Sequence, residues 1–367
     1  MTATQKNQLS GITSTISILN ADAYYAMQAM PAHSVAAIVT DPPYAIRPPR
    51  GSATRARDEL NSGASSGEVA SRDDQWKNYA DAAMLGQQSM NWHARETHSR
   101  GYADNDPVHF ERWCELWLHE CLRVLKPGGY LVAFGGTRTW HRLACAAETV
   151  GFEIRDSLAW LYGTGFPKSL NVAKGVADLA QTEPSSGAGA SAWTGWGTAL
   201  KPAFEPIVLA RAPLTSTVAK NVLAYGTGAI NVDGTRLAGG RWPTNVFLDE
   251  PQARVLDQAD LGGPSRFFWH AKPGNNERVV VDGVKHPTVK PLALMRELVR
   301  LVTPLGGMVL DPFAGSGTTV EACIAEGMSC IAIEREADFI PLIEARISRR
   351  SGPESDDRVS PESDRLF

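Results

Sequence analysis

Short apolar runs separated by helical spacings recur along most of this 367-residue chain. Ser14–Leu19, Val35–Thr40, Glu153–Tyr162, Glu205–Ala210, Gly307–Leu310 and Cys330–Ile333 read as strands. Tyr130–Phe134 is apolar without interruption, the mark of a strand covered on both faces. Helices are predicted at Ala23–Met30, with Asp22 as N-cap, and at His109–Val124, where Phe110, Trp113, Leu116, Trp117, Cys121 and Val124 recur near helical spacing. Further helices are predicted around Trp140–Val150, at Leu292–Leu301, with Leu294, Leu298 and Leu301 on one face, and at Val320–Ala325. Strands alternating with helices imply an open, mostly parallel α/β sheet. Residues 45–109, 175–200 and 212–285 break the alternation, and residues 1–11 and 350–367 are expected to be a flexible and a disordered tail.

Two stretches carry chemistry. The strand Val35–Thr40 runs into Asp41-Pro42-Pro43-Tyr44. Consecutive prolines stiffen a turn and leave its carbonyls free to accept hydrogen bonds, and Asp41 adds a carboxylate acceptor beside them. Such a corner suits a flat amine: one N–H to Asp41, one to the Pro42 carbonyl, with the Tyr44 ring stacked on the base. An ordinary turn after a strand has the same composition. Far along the chain, Gly307–Leu310 leads into Asp311-Pro312-Phe313-Ala314-Gly315-Ser316-Gly317-Thr318-Thr319 and then a helix. Glycines let the backbone approach a ligand closely, and a helix N-terminus is electropositive. No Lys follows the second glycine and the third glycine of the dinucleotide fingerprint is missing, so neither a phosphate-binding P-loop nor that fingerprint is present. The next strand ends at Glu334, where an acid is placed to bind ribose hydroxyls.

With the hexapeptide His286-Pro287-Thr288-Val289-Lys290-Pro291, these motifs resemble the S-adenosylmethionine-dependent DNA amino-methyltransferases. Catalytic motif first and cofactor motif last is similar to the order of their β group, and the resemblance covers most of residues 12–348. It implies a Rossmann-like class I methyltransferase fold with an antiparallel edge hairpin, here Glu153–Tyr162 with Glu205–Ala210, and irregular insertions for DNA recognition. Residues 12–211 would form the catalytic half, 212–285 a target-recognition segment and 286–349 the cofactor half. Asp41, Pro42, Pro43 and Tyr44 would be catalytic. Asp22, His286, Thr288, Lys290, Asp311, Phe313, Ala314, Gly315, Ser316, Gly317, Thr318 and Glu334 would bind S-adenosylmethionine, with Thr288 and Lys290 at a helix N-terminus facing its carboxylate. The activity implied is methyl transfer to the exocyclic amine of a flipped base. An opening Asp leans to adenine N6, and cytosine N4 is the alternative. A scaffold that binds DNA without catalysis is the reading from a different class.

Composition adds limits. A net charge of −4 disfavours a uniformly basic DNA-binding surface but not a local one. Arg47, Arg50, Arg55 and Arg57 follow the corner directly and fit an arm on DNA phosphates or a solvated loop equally well. Trp76, Tyr79 and Trp92 fit stacking or a small core. Phe166 and Lys168 fit contacts to a flipped base or a plain turn, and Arg241, among the aromatics and basic residues of 212–285, fits a DNA-facing surface or an aromatic-held subdomain. Five cysteines without CxxC spacing argue against a disulfide framework or a metal site, and none follows a proline as in ring-carbon cytosine methylation. No run approaches a membrane span, and residues 1–10 do not read as a signal peptide, so a cytoplasmic protein is expected; the family resemblance implies that it is bacterial or phage-encoded. The expected partner is double-stranded DNA. A homodimer is compatible, and in the absence of a nuclease motif any restriction endonuclease would be a separate chain.

Overall fold

The computed structural model describes residues 2–9, 12–44, 107–163, 165, 169–180, 189–259, 265, 268–271 and 278–351. The 45–106 stretch with its arginines and aromatics, Phe166, Lys168 and the residues beyond 351 lie outside the described residues.

The first half supplies β1 (Thr2–Leu9), β2 (Ile12–Asn20), α1 (Ala23–Gln28), β3 (Val35–Thr40), α2 (Pro107–Val124), β4 (Leu125–Phe134), α3 (Trp140–Val150), β5 (Glu153–Leu161), α4 (Val172–Leu179) and β6 (Phe204–Arg211). Then come α5 (Val218–Tyr225), β7 (Val246–Asp249), α6 (Glu250–Ala259), β8 (Trp269–Ala271), β9 (Val280–Val281) and β10 (Val284–Lys285). The chain closes through α7 (Leu292–Val302), β11 (Met308–Asp311), α8 (Thr318–Ala325), β12 (Ser329–Glu334) and α9 (Ile340–Ser351). One sheet of ten strands runs in the order β1-β2-β12-β11-β3-β4-β6-β5-β7-β8, and β9 and β10 form a separate small ribbon.

The period of two along the central strands sorts side chains between two cores. Ala37, Val39, Tyr130, Val132 and Phe134 face one side, where Leu294, Leu298 and Val299 of α7, Val320 of α8 and Ile343 and Ile347 of α9 cover them. Ile38, Leu131 and Ala133 face the other, under Met27 of α1, Phe110, Trp117 and Leu118 of α2 and Leu143 and Ala146 of α3. Covered on both faces, β3 is buried at all six positions, which is why its sequence carries no polar alternation. No helix among the described residues is long and apolar enough to cross a membrane.

Three differences from the expected layout have physical causes. Thr2–Leu9, expected as part of a flexible tail, pairs antiparallel with β2 from Thr2↔Leu19 to Leu9↔Ile12. Such pairing is made by backbone groups, so a polar edge strand leaves no apolar signature. The antiparallel pair β5/β6 is present, but it is not the rim: β6 lies between β4 and β5, and β7 and β8 extend the sheet in parallel beyond β5. Strands of four and three residues are too short to show a period. Residues 212–285 are thus built partly into the scaffold.

Asn221 of α5 pins the start of that segment. Its side-chain N–H groups donate to the Pro127 and Thr227 carbonyls at 2.8 Å each, and its Oδ1 accepts from the Thr215 N–H at 3.2 Å. Gly128 beside it has φ +77°, and a β-carbon there would sit 2.5 Å from the Asn221 amide nitrogen. Only glycine suits both the left-handed backbone and the close approach. Because Asn221 and Thr227 are both buried, Asn221→Ala leaves the Thr227 carbonyl without its amide donor. A loss of about 2 kcal/mol in urea unfolding, with the denaturant slope unchanged, is expected.

Candidate active site

β3 and β11 are adjacent and parallel, with Ala37 opposite Val309 and Ile38 opposite Leu310. Their C-terminal ends therefore emerge side by side, one into Asp41–Tyr44 and the other into the glycine turn. At the last position the Thr40 hydroxyl donates to Asp311 Oδ1 at 2.7 Å, and that oxygen also accepts the Phe313 N–H at 3.2 Å. Asp311 is 2% exposed. Burial raises its pKa to about 6, although hydrogen bonds from Thr319, Thr40 and the Phe313 N–H pull the other way.

In the corner, Pro42 is buried, Pro43 exposed, and Asp41 and Tyr44 lie half-buried. Thr139, at the N-cap of α3, makes no capping bond there; its hydroxyl donates to the Tyr44 carbonyl at 3.1 Å and fixes the end of the tetrapeptide. The Tyr44 hydroxyl lies 2.6 Å from Asp41 Oδ1 and 2.9 Å from Glu205 Oε2. A hydroxyl carries one hydrogen, so it serves one carboxylate at a time. Burial first, and then the two carboxylates, push the Tyr44 phenol well above its ordinary range. Tyr162 is pushed up to about 12 by burial and by its hydrogen bond to Glu205.

Lys290, expected with Thr288 at the N-terminus of α7 facing the cofactor carboxylate, reaches into the corner, 2.5 Å from Asp41 Oδ2, 3.1 Å from Glu205 Oε2 and 3.1 Å from the Tyr44 hydroxyl. All three ammonium donors have acceptors, and the Phe134 and Tyr44 rings lie 4.8 and 5.3 Å away. Burial alone would lower the Lys290 pKa, but Asp41 and Glu205 outweigh it and hold the amine above its usual value. Thr288 is exposed, and its backbone engages the His286 imidazole.

Glu205 received no role in the sequence reading. β6 runs antiparallel to β4, so its beginning lies where the parallel strands end. An acid opening that strand was the signal available.

The glycine turn sits on α8. Gly315 and Gly317 have φ of +52° and +81°; a β-carbon on Gly317 would come within 2.9 Å of Ile343, and one on Gly315 within 3.0 Å of the His286 ring. The turn is held from below by Arg346, 1% exposed, whose guanidinium donates to the Ser316 carbonyl at 2.8 Å and to Glu321 at 2.5 Å. It is held from the side by Glu334, which accepts the Gly315 and Glu336 N–H groups at 2.8 Å each. Burial raises the Glu334 pKa while those N–H groups oppose it. Ala314 N–H donates to the Ile333 carbonyl, and Ser316 and Thr318 are buried. Phe313 packs on Trp113 and Trp117, His286 on Phe339, and burial lowers the His286 pKa. Asp22 caps α1 through the Tyr24 N–H, next to the point where Ala21 N–H and the Asn20 amide bind the Glu334 carbonyl. Arg241 is exposed in a loop where Arg236 lies 5.2 Å over the Trp242 ring, away from every residue of the two motifs in sequence.

A carboxylate-proline corner and a glycine turn at the C-terminal ends of adjacent parallel strands mark the ligand-binding edge of an open α/β sheet. The chain belongs to the DNA methylase family, whose model matches residues 35–345. It is 30% identical over 239 residues to the type II methyltransferase M.HindIII of Haemophilus influenzae, covering 60% of this chain and 65% of that protein. It is 23% identical over 333 residues to the type II methyltransferase M.HinfI of Haemophilus influenzae, covering 90% and 67%. Among solved structures it is similar to the cytosine-N4-specific PvuII DNA methyltransferase, with 14% identity, 94% and 88% coverage and a TM-score of 0.48.

The raised Asp311 pKa has a stability consequence. Its folded value, about 6, exceeds the ordinary 3.8, so the folded state favours the protonated acid. Its contribution to stability is therefore full below pH 3.8 and is lost as pH rises to about 6. Asp311→Asn keeps an oxygen for Thr40 and Phe313 without the charge. The variant is expected to gain up to about 3 kcal/mol over the wild type at pH 7.5. The gain should fade between pH 6 and 4 in thermal unfolding; a pH-independent difference would refute the burial argument.

Proposed function

We propose that this chain transfers a methyl group from S-adenosylmethionine to the exocyclic amine of a base flipped out of double-stranded DNA, adenine N6 in particular. The observation that carries the reading is the meeting of Asp41-Pro42-Pro43-Tyr44 with the glycine turn across the β3–β11 pair. Family membership supports the DNA substrate. The opening Asp41 favours adenine over cytosine.

The residues present fit the cofactor. Glu334 ends β12 with each oxygen committed to one N–H, which leaves a lone pair on each for ribose hydroxyls. Two left-handed glycines bring backbone close to a ligand, Phe313 offers a ring, and Asp22 lies along the same strand edge. His286 closes over Gly315 as a neutral imidazole. S-adenosylmethionine supplies an already activated methyl, so the chain must position and polarise rather than form a covalent intermediate.

Asp41 and the Pro42 carbonyl accept the two N–H bonds of the target amine, aiming the nitrogen lone pair toward the methyl. The negative Asp41 is complementary to the positive charge that grows on nitrogen. Tyr44 holds the ring plane. The proton released after transfer leaves to water or through Asp41. Residues 212–285, with exposed Trp242 and Arg241 and the Arg236–Trp242 contact, supply aromatic and basic groups suited to a duplex surface.

Labelled methyl transfer to unmethylated genomic DNA, with Asp41→Ala beside the wild type and nucleoside analysis of the product, tests the reading. Label in N6-methyladenine that drops by at least about 10²-fold in the variant is expected. Label in N4-methylcytosine would correct the base alone. Cofactor binding without transfer to any DNA would sink the assignment and leave a non-catalytic DNA-binding scaffold.

A further inference from the structure

Resting on the proposed methyl transfer, we propose that Lys290 and Glu205 are positioning residues of the target corner, holding the Asp41 carboxylate and the Tyr44 hydroxyl in place for the incoming amine. Asp41 accepts hydrogen bonds on both oxygens, from Tyr44 on Oδ1 and from Lys290 on Oδ2. Two anchors define the carboxylate plane, and each oxygen keeps a lone pair for a substrate N–H. Without them the group would rotate about its side-chain torsions, and half-burial alone does not select an orientation.

Glu205 completes the frame. It binds the same ammonium from the opposite side, stands as the alternative acceptor for the Tyr44 hydroxyl, and accepts in turn from Tyr162. Two carboxylates therefore share one ammonium, leaving one net negative charge beside the place where positive charge develops on the amine. Removing Lys290 would leave Asp41 and Glu205 as like charges across a single hydroxyl, with both side chains only about one-fifth exposed: 22% and 19%. Such a pair either separates or takes up a proton, and either outcome removes the oriented acceptor. The same lysine ties the two motifs mechanically. It lies one residue before Pro291, the N-cap of α7, and α7 packs its Leu294, Leu298 and Val299 into the core shared with β3 and β11. The position of Asp41 is thereby referred to the cofactor half of the sheet.

The test separates this role from cofactor binding. Lys290→Met, Glu205→Gln and the double variant are assayed for methyl transfer at saturating DNA and cofactor, and for S-adenosylmethionine affinity by calorimetry. Lys290→Met should lower kcat by about 10²-fold with the cofactor Kd and the DNA KM unchanged, as expected for misplacement of a reacting group. The double variant should lose less than the product of the single losses, because Glu205→Gln removes the like charge that the missing lysine exposed. A tenfold rise in cofactor Kd at unchanged kcat would make Lys290 a cofactor ligand and overturn the proposal, as would strictly multiplicative losses. Should Lys290→Met not fold, the isosteric Glu205→Gln decides: reduced kcat at unchanged cofactor Kd supports the proposal, and wild-type kcat overturns it. Absence of transfer by the wild type would defeat the methyltransferase reading and this proposal with it, whereas normal kcat in both single variants defeats the positioning role alone.

Discussion

The hydroxyl of Thr40 and the carboxyl of Asp311 meet across 271 residues of chain, inside a protein interior where neither can be left without a partner. Their bond closes the ends of β3 and β11, and everything proposed for this molecule depends on those two ends being neighbours. A parallel pair cannot be made by a local hairpin; it needs a crossover, and here the crossover contains most of the protein. The target corner and the glycine turn are consequently assembled only when both halves of the chain have folded onto one sheet. Asp311 accepts the burial cost because its carboxyl is also the acceptor that starts the turn at Phe313.

Each motif is backed by one buried cation acting on carboxylates of a neighbouring element. Lys290 binds Asp41 and Glu205 behind the corner; Arg346 binds Glu321 and the Ser316 carbonyl beneath the turn. Buried ion pairs add little net stability against apolar replacements, yet breaking one by removing a single partner is costly. Their value here is geometric: an ammonium with three acceptors or a guanidinium fork admits few arrangements. The difference between the two follows their surroundings. Arg346 is sealed and purely internal, whereas the Lys290 cluster borders the partly exposed Asp41, where a ligand has access.

Much of the central architecture was legible because the strands that carry it are apolar, and because Asp41-Pro42-Pro43-Tyr44 and the glycine turn are contiguous in sequence. Strands and helices such as Val35–Thr40 and Trp140–Val150 have the bounds that periodicity suggested. What was not legible is what depends on distance in sequence. Lys290 sits in a motif that points to the cofactor, and nothing local says that its four-carbon stem crosses to a carboxylate 249 positions earlier. Glu205 and Arg346 gain their roles only from the antiparallel direction of β6 and the docking of α9. The polar strand β1 and the short β7 and β8 exist through backbone pairing, to which side-chain patterns are nearly blind.

The placement of β7 and β8 also narrows where the recognition role proposed for residues 212–285 falls. Three anchors fix this segment to the scaffold: Asn221 on the Pro127 turn, the Asn231 N–H and side chain on the Leu301 and Arg300 carbonyls at the end of α7, and the parallel pairing of Phe247 with Trp160 and Trp269. Residues holding a sheet cannot also be free to follow a duplex. The connector between the second and third anchors is different: it carries Arg236, Arg241 and the exposed Trp242, and its own hydrogen bonds are mostly local. A rigid base with a short, basic, aromatic loop costs less ordering entropy on binding than a detached recognition domain would. The basic and aromatic side chains proposed to face a duplex therefore lie on that connector, with the sheet behind it.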